Sequence, residues 1–345
     1  MPDIPSYRER ANAIQGSGVE VDTAGRRVFV GSADHHLYCL RAGTGEILWR
    51  LDTGAAVRST PLFMEETQVV FFGNDDGELW AASASDGERR WVFQAEAEIA
   101  HEPLLIGEAL YITTADNRVH AIDWTNGETI WSYEQPSSEA EFEVTGFAGP
   151  AVENGVLYTG FSNGRVVALD ASDGDELWIR DLSEDLAAQT SSHGIPVMPD
   201  VDTTPLLGRH SLVVASYDGG VYSLDKATGN VNWREPLRGV VGLSGHGQTI
   251  FAAQAGVGMV ALDLEDGSVR WERRLGPAIY YRPYVFRDLV IVTDSRRGIT
   301  AMRLEDGNVM QRYTVGAGAG AAPTVIGSTA FVMSNGGVVA ALRIH

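Results

Sequence analysis

Cysteine and lysine are nearly missing from this chain of 345 residues. Cys39 is the sole cysteine and Lys226 the sole lysine, so every other member of its 26 basic residues is arginine. One thiol permits no intrachain disulfide and no thiolate metal cluster. Basic charge is scarce altogether: 46 acidic residues leave a formal net charge of −20. Such a surface repels the phosphate backbone that a nucleic-acid binder must neutralise, and it suits anionic lipid poorly. No nucleic-acid partner is expected. No apolar run approaches the ~20 residues of a membrane-spanning helix. The segment Met1-Pro2-Asp3-Ile4-Pro5 has neither the basic flank nor the apolar centre of a signal peptide. Either the protein works in the cytoplasm or a leader has been removed.

Motifs that carry chemistry are also missing. There is no Gly-x-Ser-x-Gly, His-Glu-x-x-His, Walker loop or Cys-x-x-Cys. His35-His36 falls in a turn between two strands of the first repeat. Gly245-His246-Gly247 falls on an innermost-strand position, where a histidine lends polarity to a central channel. No catalytic residue, metal ligand or cofactor-binding residue is assigned, and no cofactor is expected.

What the chain has in abundance is one repeated unit. An apolar, β-rich run leads to a Gly/Asx turn, then a second run ending near Ala-Leu-Asp, then a Gly-x-x-x-Trp turn. The turns run Thr44-Gly45 to Trp49, Asp86-Gly87 to Trp91, Asn126-Gly127 to Trp131 and Asp173-Gly174 to Trp178. They continue with Thr228-Gly229 to Trp233, Asp266-Gly267 to Trp271 and Asp306-Gly307 to Gln311. Only the seventh lacks Trp. A period near forty residues with two strands and a hairpin turn per unit, such as Val156–Gly160, Asn163-Gly164 and Arg165–Asp170, is the signature of propeller blades. Pro61, Pro103, Pro150, Pro205, Pro283 and Pro323 each precede such a pair. Pro cannot donate to a ladder, so these mark the start of a strand with one open edge, the innermost of each blade. The repeated Trp reads as packing between neighbouring blades, burying roughly 150–250 Å² apiece.

An eighth copy starts at Ala322-Pro323 and stops at His345 after three strands. The expected fold is therefore an all-β, eight-bladed β-propeller forming one domain over residues 1–345. Its last blade takes an outer strand from Ser6-Tyr7-Arg8-Glu9-Arg10, which removes two exposed sheet edges.

The Trp-containing repeat resembles that of the pyrroloquinoline-quinone (PQQ) propellers, including quinoprotein alcohol dehydrogenases. Those enzymes carry a vicinal-cysteine disulfide, which one cysteine cannot supply, and their Ca²⁺ site and catalytic Asp have no match here. The closer resemblance is to the BamB family, propeller lipoproteins of the outer-membrane β-barrel assembly machinery. It rests on blade order, on the long connection from Leu182 to Pro199, and on the run Asp200-Val201-Asp202-Thr203-Thr204-Pro205 that opens blade five. The segment Ala140 to Pro150 before blade four stands where the family has its other partner-binding loop.

The resemblance implies that these two segments hold BamA, the barrel-forming subunit. It assigns Asp200 and Asp202 as acidic contacts, and Phe142 and Val144 as apolar ones. It departs at Thr145, where the family has Arg. Period-two spacing points each pair to one side. The carboxylates should be at least partly exposed, since two buried unpaired charges are costly, and the two segments should lie side by side. The alternative is structural: Asp200 and Asp202 cap a strand end while Phe142 and Val144 are blade core.

The function expected is a non-enzymatic scaffold, monomeric on its own. By the same resemblance it sits at the periplasmic face of the outer membrane, attached only through a lipid anchor lying outside this sequence. A PQQ-dependent dehydrogenase-like propeller or a ligand-sensing one is the alternative.

Overall fold

The computed structural model describes residues 18–22, 24, 26–136, 148–187 and 198–344. Apart from one helical turn, Glu184–Ala187, its elements are strands. They form seven four-stranded sheets and one three-stranded sheet, each an antiparallel meander in chain order, and the fold is an eight-bladed β-propeller. By their contacts the residues group into two compact units. One comprises Met1–Pro103, Asp123–Glu128 and Pro283–His345, the other Leu104–Ile122 and Thr129–Arg282.

The proline reading holds strand by strand. The first strands Leu62–Met64, Leu104–Ile106, Ala151–Glu153, Leu206–Leu207, Tyr284–Phe286 and Thr324–Ile326 each begin on the residue after a proline. Second and third strands are buried almost throughout, as in Val69–Gly73 and Arg165–Asp170, because sheets cover both their faces. Outer strands such as Ile47–Asp52 alternate between half-buried and exposed residues, as a half-solvated strand must.

In the first unit, Phe29, Leu37 and Cys39 of blade one pack with Val70, Phe72 and Trp80 of blade two. In the second, Tyr158, Val166 and Ala168 of blade four pack with Leu212, Val214 and Tyr222 of blade five. Burial pushes the Cys39 thiol up to about 12, which makes it a small core residue rather than a nucleophile.

Within each unit, repeat tryptophans close the seams between neighbouring blades. The indole N–H of Trp49 donates to the Ala84 carbonyl at 3.1 Å, Trp131 to Ala171 at 3.0 Å and Trp178 to Lys226 at 2.9 Å, in every case on the following blade. The ring lies over the turn glycine of that blade. A Cβ on Gly87 would come 2.7 Å from Trp49 Cε3, and one on Gly174 would come 2.6 Å from Trp131 Cε3. These glycines also hold φ of +76° and +79°. Both the left-handed turn and the ring above it therefore demand glycine.

The eighth sheet consists of Thr324–Ile326, Thr329–Met333 and Val339–Arg343. On its inner side the Thr324 hydroxyl donates to the Val19 carbonyl of the first strand, Val19–Val21. The outer strand expected from residues 6–10 lies outside the described residues.

Candidate partner-binding surface

Blade five opens on an irregular segment, Pro199 to Pro205, that is fastened on two sides. Ser216 Oγ donates to the Pro199 carbonyl at 2.8 Å, and the Tyr217 N–H donates to the Asp200 carbonyl at 3.0 Å. Val201 forms an isolated bridge with Ser216, and the Ala215 N–H donates to Thr203 Oγ1 at 3.0 Å. Toward blade four, the Val201 N–H donates to the Phe161 carbonyl at 3.0 Å, and its fully buried side chain rests on Gly160, where no Cβ would fit.

The segment before blade four reaches the same place. The Ala148 N–H donates to the Gly160 carbonyl at 3.2 Å, and Thr159 Oγ1 donates to the Ala148 carbonyl at 3.1 Å. One strand end, Thr159 to Phe161, thus anchors both candidate segments. Phe142, Val144 and Thr145 lie outside the described residues, so of this first segment only the end at Ala148 to Pro150 is placed.

The two carboxylates differ from each other. Asp200 is only 3 % exposed, which corrects the expectation that both would be open to solvent. Its carbonyl accepts from the Tyr217 N–H, and the N–H of the next residue, Val201, donates to the Phe161 carbonyl, so the backbone is held on both sides of a buried side chain. Burial raises its pKa, its own backbone N–H works against that, and the Asp218 carboxylate adds to the rise. Asp202 keeps part of its surface open yet sits deep among surrounding atoms. Burial, then the neighbouring Asp200 charge, pushes its pKa up to about 7. Its Oδ1 is buried without a hydrogen-bond partner, and no cation among the described residues offsets either charge.

Beside them, Asp218 Oδ2 accepts from the Met198 N–H at 2.8 Å, and the Met198 side chain is exposed. Asp218 and Met198 escaped the sequence reading, because neither lies in a motif and only the fold brings residue 218 beside 198. Among the described residues no group of three or more His, Cys, Asp or Glu could hold a metal ion. His246 is exposed at the end of the strand Val240–His246 and lines an open groove with His210. His36 begins the strand His36–Arg41 rather than lying in the turn, and its Nδ1 is 2.8 Å from the Asp34 carbonyl.

Fold and surface together define the class: an eight-bladed propeller of PQQ-like repeats, with its candidate site at two neighbouring loop-to-strand junctions. The chain belongs to the family described as outer membrane protein assembly factor BamB, whose model matches residues 8–100, 64–273 and 260–345. It is 23 % identical to that factor from Shewanella oneidensis, over 94 % of this chain and 70 % of that protein. To its counterpart in Escherichia coli (strain K12) it is 25 % identical, over 50 % of this chain and 43 % of that one. With several of its relatives, then, it shares an alignment of only about half their length.

Among solved structures, BamB from Moraxella catarrhalis superposes with a TM-score of 0.81 at 21 % identity, covering 98 % of each chain. A quinohemoprotein alcohol dehydrogenase from Pseudomonas putida superposes with a TM-score of 0.71 at 14 % identity, covering 96 % of this chain and 72 % of that one. At these identities both show the fold alone.

Proposed function

We propose that this protein is a non-enzymatic scaffold of outer-membrane β-barrel protein assembly that docks the barrel-forming subunit BamA in the periplasm. Family membership supports the assembly role. The docking site rests on one observation: Ala148 and Val201 are both hydrogen-bonded to the strand end at Gly160 and Phe161, which makes neighbours of the two candidate segments.

A basic side chain from the partner would meet Asp202, whose Oδ1 has no donor among the described residues, and would relieve a buried unpaired charge. Phe142 and Val144 would supply apolar anchoring. Thr145 offers no charge where the family has Arg, so binding leans on Asp202, with the buried Asp200 beside it. A lipid anchor outside this sequence would hold the scaffold at the membrane.

The test is co-purification of the cognate BamA periplasmic domains with the wild-type protein and with Asp200→Ala/Asp202→Ala. Recovery with the wild type and loss with the double variant is expected; equal recovery removes this surface from consideration. Stoichiometric binding of pyrroloquinoline quinone with Ca²⁺, followed by dye reduction, would replace the scaffold with an enzyme.

A further inference from the structure

Several large apolar side chains of the second unit are exposed. Ile130, Leu177, Ile179 and Val269 belong to outer strands, where alternation leaves one face open. Met198, 37 % exposed, lies instead on the connection into blade five.

That position is fixed rather than loose. The Met198 N–H donates to Asp218 Oδ2 at 2.8 Å, and the Asp218 N–H donates back to the Met198 carbonyl at 3.1 Å. Asp218 stands in the hairpin turn between Ser211–Ser216 and Gly220–Asp225, beside Tyr217, whose N–H is bonded to the Asp200 carbonyl. One residue thus engages both backbone groups of Met198 and leaves an apolar side chain facing out on a firm support.

The residues that follow show which way it turns. A Cβ on Gly164 would come 2.8 Å from Pro199 Cβ, and one on Gly160 would fall on Val201 Cγ1, so Pro199 and Val201 rest on the blade-four hairpin. Met198, Asp200 and Asp202 alternate with them, and period-two spacing places these three on the other side of the segment. The Asp218 charge acts on Asp200, and the Asp200 charge acts on Asp202. A row of carboxylates therefore runs from the support of Met198 to the partly open Asp202.

We propose that Met198 is an apolar anchor of the docking surface and that Asp218 positions it, so that the surface fits a partner segment carrying an apolar side chain beside a basic one. This rests on the docking reading and adds two residues to that surface. Methionine suits the place, because its unbranched, polarisable chain adapts to what it meets and it is enriched at protein interfaces. The basic group meets Asp202, while the apolar one covers Met198 and keeps water from the charge pair, which strengthens it.

The test is the binding kinetics of the cognate BamA periplasmic domains, with Tm measured for each variant. Met198→Ala should raise the dissociation rate about tenfold. Its Tm and the salt dependence of its association should stay those of the wild type, and Met198→Leu should bind as the wild type does. Asp218→Ala removes the acceptor of the Met198 N–H and should also speed dissociation. Asp218→Asn keeps an oxygen there and should retain the wild-type dissociation rate. Wild-type dissociation by Met198→Ala, with binding weakened by Asp202→Asn, would overturn the inference and leave the docking reading standing. A lowered Tm for Met198→Ala, or equal rates for the two Asp218 variants, would overturn the anchor or its positioning residue. No binding by the wild type, or an Asp202→Asn variant that binds as it does, would fail the docking reading and the inference with it.

Discussion

At the scale of single residues, the recurring pair is a tryptophan and a glycine on consecutive blades. Trp131 is buried, its indole N–H is bonded to Ala171, its ring lies beside Tyr111 at 5.9 Å between centroids, and Gly174 lies beneath it. Trp131→Ala removes all of these contacts and should cost ~3–5 kcal/mol, measured by denaturant unfolding. Gly174→Ala keeps the ring but forces a Cβ into both a left-handed turn and the indole face, so it should cost more than about 1 kcal/mol.

The sequence displays the tryptophans and glycines plainly but not which one meets which. Their partners lie about forty residues apart, and only the stacking of sheets pairs them. Gln311 fits the same logic from the other side, since the blade that follows it is also the one whose outer strand is missing from the described residues.

At the scale of elements, the strands were legible because their signals are local. A proline before six of the first strands, an Asx-Gly turn within hairpins such as Asn163-Gly164 and alternation on outer strands such as Ile47–Asp52 are all short-range patterns, and the structure follows them. The segment opening blade five was legible only in part. Spacing placed Asp200 and Asp202 on one side but could not say how deep that side lies. Depth is set by Val201 on Gly160 and by the Asp200 to Tyr217 bond, both non-local.

That depth makes the element sensitive to pH. Asp202 is raised from 3.8 to about 7 by burial and then by the Asp200 charge. Glu20 is raised from 4.5 to about 7 by burial and then by Glu102. Between about pH 4 and pH 7 the folded protein therefore holds protons that the unfolded chain has released, so stability falls as pH rises through that window. Unfolding followed from pH 4 to 8 should show this decline, and Asp202→Asn and Glu20→Gln should each flatten it. A profile that rises over the same range, or is unchanged by both substitutions, would contradict the burial account.

At the scale of the whole molecule, forty-residue units of one kind account for the chain from Gly18 to Ile344. We expect one domain and hence a single cooperative unfolding transition by calorimetry; two resolved transitions would divide it. The acidic excess of 46 over 26 residues suits a partner of opposite charge and gives its association a salt dependence.

The most direct test of the docking account is the dissociation constant of the cognate BamA periplasmic domains for wild type and for Asp202→Asn, at pH 8 and low salt. Asparagine keeps the shape and removes the charge. Breaking a desolvated charge pair costs roughly 2–5 kcal/mol, so the account predicts affinity weakened by about thirtyfold or more. A variant that folds as the wild type does and binds with the same dissociation constant would contradict it.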